Sequence, residues 1–149
     1  MKLDDIDRKI FQLLTENGRM SYVDIAKELN LSRVAIRERV QSLQKEGIIE
    51  QFTVVINSEK IGKKVSVFFQ IECEPFKLIE VANELCENEK VMSCYQMTGQ
   101  GTLHMYALLK DLNELEHFIN EEISTIQGIT NIKSHILLRR FKSQNGLKI

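Results

Sequence analysis

The chain has 149 residues, 43% of them hydrophobic and 28% charged, with a formal net charge of -1. That suits one or two compact domains with ordinary cores and excludes a histone-like protein that holds DNA by bulk positive charge. No apolar run approaches the roughly 20 residues that span a bilayer, and Met1-Lys2-Leu3-Asp4-Asp5 lacks the basic-then-apolar pattern of a secretory signal, so the cytoplasm is the expected compartment.

Apolar residues at Ile6, Ile10, Leu13 and Leu14 predict a first helix, capped by Asp4 or Asp5 and ended at Asn17-Gly18, with Gly18 suited to a left-handed conformation. Ser21-Tyr22-Val23-Asp24 resembles a capping box with Asp in place of Glu or Gln. It opens a short second helix whose buried stripe is Val23, Ile25, Ala26 and Leu29. Ser32 caps a third helix with an apolar face of Ile36, Val40 and Leu43, stopped by Gly47. Two short helices joined by a tight turn form a helix-turn-helix. The other face of the third helix carries Arg33 and Arg37, with Arg39 and Lys45 against Glu38 and Glu46. Arginine in the first turns of such a helix can reach base edges or clamp phosphate. The candidate DNA-contacting set is Ser21, Tyr22, Ser32, Arg33, Ala35, Arg37 and Arg39. Arg39, beside Val40, is equally suited to clamping phosphate or pairing with an acid of the first helix.

These residues carry a family resemblance. Leu3-Asp4-x-x-Asp7-x-x-Ile10, Gly18-Arg19, Ser21-x-x-Asp24-Ile25-Ala26, Leu29-x-Leu31-Ser32 and Arg39-Val40-x-x-Leu43-x-x-Glu46-Gly47-Ile48-Ile49 resemble the Lrp/AsnC transcription regulators. The likeness continues through Gln51–Asn57, which looks like the strand after the DNA-binding domain, and Lys60-Ile61-Gly62, which looks like its linker.

Further on, Val65, Val67, Phe69 and Ile71 alternate with Ser66, Phe68, Gln70 and Glu72, the period of a strand that Pro75 breaks. A helix is predicted over Phe76 to Glu87, with Leu78 or Ile79, Ala82 and Leu85 inward. Strands follow at Val91 to Met97 and Leu103 to Leu109, joined by the turn Thr98-Gly99-Gln100-Gly101. Asp111 caps a helix burying Leu115, Phe118, Ile119 and Ile123, and Gly128 leads into a last strand, Ile129 to Leu138. The expected fold is α+β: a (winged) helix-turn-helix over residues 1–50, a strand and linker over 51–64, and a ferredoxin-like βαββαβ domain over 65–149. Such a sheet carries both helices on one face, and Phe68 on the other face calls for a partner, as in a sheet-to-sheet homodimer. The resemblance implies a homodimer assembling further, to an octamer, on double-stranded DNA, with an amino acid or other small effector.

The family's effector pattern is Gly, acid, aromatic, Asp, then an aromatic or apolar residue. Its counterparts are Gly99, Gln100, Gly101, Thr102 and Leu103, of which only the glycine matches. Thr102 offers a hydroxyl where a carboxylate would pair with an ammonium. A plain hairpin turn, a different ligand, a ligand held by backbone groups and a neighbouring subunit, and no ligand at all remain open. Cys73, Cys86 and Cys94 form no C-x-x-C, and His104, His117 and His135 share no ligand spacing with them, so neither a metal nor another cofactor is expected. Neither His104 nor His117 has a nucleophile beside it, and no catalysis is expected.

Overall fold

The computed structural model describes residues 3–98 and 101–142. The chain divides between Val55 and Ile56 into two compact units, and the second is Ile56–Phe141.

The first unit is three helices. Helix α1 (Asp5–Glu16) starts at a reciprocal capping box: Asp4 Oδ1 accepts the Asp7 N–H at 2.8 Å, and Asp7 Oδ2 accepts the Asp4 N–H at 3.1 Å. The expected left-handed Gly18 does not occur. Asn17 caps the helix in an extended conformation, and its Oδ1 takes the Arg19 N–H at 3.1 Å, so the chain turns without a positive φ there. Helix α2 (Tyr22–Leu29) is capped by Ser21 and ends at Asn30, which adopts a left-handed φ of 51°. Leu31 and the cap Ser32 complete the turn into α3 (Arg33–Lys45). Gly47 closes α3 at φ 69°, with the Ile48 N–H on Leu43 O and the Gly47 N–H on Gln44 O, a Schellman ending. Ile10, Ile25, Ala26, Ile36 and Val40 form the core, and the small side chain of Ala26 stands in it where α2 meets α3. Val23, expected in that core, is exposed, because a helix of two turns has room for one narrow stripe, and Ile25, Ala26 and Leu29 fill it.

The segment Gln51–Asn57 forms no strand. A strand needs a ladder partner for its N–H and C=O groups, and among the described residues none lies beside it. Phe52, Val54, Val55 and Ile56 are consequently exposed.

The second unit is a four-stranded antiparallel sheet in the order β2-β3-β1-β4, formed by β1 (Val65–Cys73), β2 (Val91–Gln96), β3 (Thr102–Leu109) and β4 (Ile129–Ile136). The period-two pattern sends Val67, Phe69, Ile71, Leu103, Met105, Ala107 and Leu109 to one face. There they meet α4 (Leu78–Cys86), α5 (Leu112–His117) and the π-helical continuation Phe118–Ile123. Helix α4 is shorter than expected and buries Leu78, Val81 and Leu85, while Ile79 and Phe76 are exposed. The inward row is set by Val81, which lies between Leu78 and Leu85 at helical spacing. The π turn spaces Phe118 and Ile123 five apart so that both are buried, leaving Ile119 only partly so. Strand β4 stops at Ile136, opposite Val67, short of Leu138, which is exposed. Gly128 takes φ 105° in close approach to Lys77, where no side chain would fit.

Candidate nucleic-acid interface

The third helix is held by three independent devices. Ser32 Oγ accepts the Ala35 N–H at 3.1 Å and fixes its start. The buried row Ile36, Val40 and Leu43 fixes its rotation. An ion-pair strut then ties it to the beginning of α1: Arg39 Nη1 lies 2.8 Å from Asp4 Oδ2 and 2.9 Å from Asp7 Oδ1. Asp7 is the buried charged residue of the unit at 4% exposure, so its carboxylate depends on the two bonds it accepts, from Asp4 N–H and from Arg39. The Asp7 N–H, followed by the Arg39 guanidinium, holds the Asp4 carboxyl below its ordinary value, and the two acids push the Arg39 pKa up.

This geometry sorts the candidate set. Arg33 and Arg37 are exposed and enter no ion pair among the described residues. Ser32 is spent on its cap, with its hydroxyl proton still available. Ser21 Oγ both accepts the Asp24 N–H at 3.1 Å and donates to Asp24 Oδ2 at 2.6 Å. The Asp24 side chain thereby takes the serine hydroxyl where a full box would take the serine N–H. Tyr22 is half-buried against the three-helix core, and Ala35 is partly covered. Arg39, placed in the DNA-contacting set from sequence, has its Nη1 committed to two carboxylates and acts in the fold as a strut.

At 3.6 residues per turn, the side of α3 opposite the buried row is the ridge Val34, Glu38, Gln41 and Lys45, with Arg33, Arg37 and Gln44 on its flank. All seven are exposed. Selecting residues by positive charge finds Lys45 and passes over Val34 and Gln41 on this ridge; stepping along the sequence from Val34 at helical spacing finds them.

In the second unit, the candidate effector positions Gly99 and Gln100 lie outside the described residues. Gly101 has φ 51°, its carbonyl accepts the Cys73 N–H at 2.9 Å, and a Cβ there would stand 2.8 Å from the Cys73 carbonyl oxygen. Thr102 opens β3 opposite Glu72. Leu103 points into the core at 1% exposure, so it supports the turn from below and does not present its side chain to a surface ligand. The sheet face away from the helices carries Phe68, half exposed, with its ring 4.8 Å from that of Tyr106. His104 sits on this face opposite Gln70 and Tyr95, whereas His117 Nδ1 lies 3.2 Å from Glu122 Oε1 on the helical side. No helix among the described residues is long and apolar enough to cross a membrane.

Comparison with known proteins gives a consistent frame for both units. Residues 3–50 match the family described as winged helix-turn-helix DNA-binding, and residues 66–147 match the Lrp/AsnC ligand binding domain. The chain is 39% identical over 137 residues to an uncharacterized HTH-type transcriptional regulator of Pyrococcus horikoshii, covering 92% of this chain and 87% of that one. It is 34% identical over 147 residues to an HTH-type transcriptional regulator of Methanocaldococcus jannaschii, covering 99% of each. Among solved structures, a transcriptional regulator from Neisseria meningitidis in complex with L-Met superposes with a TM-score of 0.91 at 26% identity, over 98% of this chain and 96% of that one.

Proposed function

The chain belongs to the Lrp/AsnC family of DNA-binding transcriptional regulators, which are not enzymes, and from that membership we propose that it reads operators as a homodimer through the N-terminal half of α3. The observation that carries this is the pairing state of the arginines: Arg33 and Arg37 stand exposed outside any ion pair among the described residues, beside a helix start fixed by Ser32. Arginine there offers a two-pronged donor to guanine O6 and N7 or to a phosphate. The backbone N–H groups at the start of α3 add phosphate contacts. Arg33→Ala and Arg37→Ala test the reading. Each is expected to lower operator affinity by about 1–3 kcal/mol if it reads a base, measured as the ratio of specific to non-specific binding at fixed salt. Unchanged affinity in the double variant removes α3 from the interface.

The homodimer is argued from two surfaces that a single copy leaves incomplete. One is the sheet face around Phe68 and Tyr106. The other is the unpaired apolar run Phe52–Ile56. Two copies related by a two-fold axis would bury both and present two α3 helices to successive half-sites. Dimers then associate to an octamer. Phe68→Glu is expected to lower the sedimentation coefficient, and an unaltered assembly would place the interface elsewhere.

The effector belongs to the second unit. The Neisseria meningitidis structure holds L-Met; for this chain an amino acid or other small molecule would be met near Gly99 to Thr102. A panel of amino acids, scored by the shift in DNA sites occupied, identifies it. No shift across the panel makes regulation ligand-independent. Residues 1–50 are thus the DNA-binding part and 65–149 the assembly and effector part, with the cytoplasm as the place of work.

A further inference from the structure

The exposed ridge of α3 carries two side chains whose chemistry is unusual for a surface that meets phosphate. Val34 is 63% exposed in the first turn, the one large apolar side chain of α3 left open among the described residues. Glu38 lies one turn further on, exposed, with no cation against it among the described residues. A β-branched residue is not favoured there by helix propensity, and a carboxylate facing the DNA backbone is repelled. Both become favourable against base edges. The apolar feature of the major groove is the thymine C5-methyl. A carboxylate can only accept, and the groove offers it two exocyclic amines. The adenine amine is flanked by acceptors on both sides, its own N7 and the paired thymine O4, each of which repels a carboxylate, whereas the cytosine N4 amine has an acceptor on one side only, the paired guanine O6.

We propose that Val34 and Glu38 are specificity-determining residues, with the Val34 methyls packed on a thymine C5-methyl and a Glu38 oxygen accepting from a cytosine N4 amine. The two Cα positions are about 6 Å apart along the helix axis. At roughly 3.4 Å per base-pair step, the thymine and cytosine stand about two pairs apart in each half-site. Arg37, on the flank between them, is placed for guanine or phosphate. Glu38 also acts against wrong sites, because wherever it meets an acceptor it adds repulsion.

This inference rests on α3 being the recognition helix, and the experiment separates the two. The preferred site of the full-length protein is first selected from random duplexes, and every thymine in it is then replaced singly by uracil, which removes only the methyl. The wild type is expected to lose about fourfold at one thymine, the worth of one methyl-sized group. Val34→Ala is expected to lose nothing further at that position. Selection repeated with Glu38→Ala is expected to flatten a cytosine preference about two pairs away by roughly tenfold while non-specific binding rises. Both side chains are exposed, and circular dichroism checks that each variant is folded. Equal uracil penalties in wild type and Val34→Ala, no penalty at any thymine, or a cytosine preference that survives Glu38→Ala overturns the proposal. If Arg33→Ala with Arg37→Ala also leaves specific affinity intact, the recognition-helix reading itself has failed. If that double variant loses specificity while uracil is silent, the recognition-helix reading stands and the proposal built on it has failed.

Discussion

Arg39 stands close in sequence to Arg33 and Arg37, the arginines proposed to contact DNA, yet its removal is expected to act on the fold first. In Arg39→Ala, Asp7 keeps its burial, with a side chain 6% exposed, and loses one of the two groups that satisfy its carboxylate. Breaking a buried pair in this one-sided way costs about 3–5 kcal/mol. Arg39 is itself 33% exposed, so water reaches the guanidinium and the pair is screened. A discounted figure of about 2 kcal/mol follows for the N-terminal unit. Native-state hydrogen exchange at the amides of Ile10 and Val40 reads that unit directly, and about 2 kcal/mol is roughly a thirtyfold increase in opening. Adding Asp7→Asn should recover part of the loss, because the stranded charge is gone. A DNA measurement completes the test. Under conditions where the variant is folded, its log affinity should fall with log salt at the wild-type slope, whereas Arg33→Ala or Arg37→Ala should flatten the slope by about 0.9 for each phosphate no longer neutralised. Exchange quickened less than threefold, or a flattened slope in Arg39→Ala, refutes the strut and returns Arg39 to the interface.

Three further outcomes are expected. The Asp4 carboxyl is held below its ordinary 3.8 by the Asp7 N–H and then by Arg39. Its contribution is therefore complete above that value and lost as pH falls through the depressed one, so the urea midpoint should drop on acidification below about pH 4, less steeply in Asp4→Asn. Burial, followed by charge repulsion from and hydrogen bonding with the neighbouring Cys86 thiol, pushes the Cys94 thiol up to about 11, and burial also raises Cys73. Iodoacetamide near pH 8 should thus modify the exposed Cys86 first, as read by peptide mass, and equal labelling of Cys94 contradicts this. Gly128→Ala would set a Cβ 2.6 Å from Lys77 Cβ at φ 105°, and a loss of about 1–3 kcal/mol is expected by thermal unfolding.

What could be read in advance divides by the range of the signal. The caps at Asp4, Ser21, Ser32 and Asp111 and the stops at Gly47 and Gly128 are written in neighbouring residues, and each is found as a hydrogen bond or a left-handed φ. The alternation in β1 and β3 places Phe68 and Leu103 on opposite faces for the same local reason. Choices between adjacent apolar residues were harder. Val23, expected inward together with Ile25, and Ile79, the expected alternative to Leu78, are exposed while the unanticipated Val81 is buried, because which of them points at a partner element depends on residues far along the chain. Gln51–Asn57 has strand composition without a strand, because ladder formation depends on a second segment that composition does not name. At the candidate interface, the identity of α3 was legible from caps and spacing. Arg39 was legible as distinct from Arg33 and Arg37, with an acid of the first helix as one of its two expected partners; which acids it meets was not, since Asp4 and Asp7 arrive from more than thirty residues away.

The candidate effector turn departs from the family pattern at residues that are tied to the rest of the sheet. An aromatic in place of Gly101 would need a Cβ 2.8 Å from the Cys73 carbonyl oxygen at a φ of 51°, where the Gly101 carbonyl already holds the Cys73 N–H. The glycine is built into the β1–β3 junction. Thr102 is the register partner of Glu72, whose carboxyl is held below its ordinary range by Lys133 and Asn131. Restoring the family carboxylate with Thr102→Asp would set two acids directly opposite each other on one face, a pairing that destabilises by a few tenths to about 1 kcal/mol. The expected result is that Thr102→Asp alone lowers the thermal midpoint and confers no amino-acid binding by calorimetry, since the turn around it has changed as a unit. Tight amino-acid binding by that single variant at undiminished stability would show that the site was intact and lacked only the carboxylate.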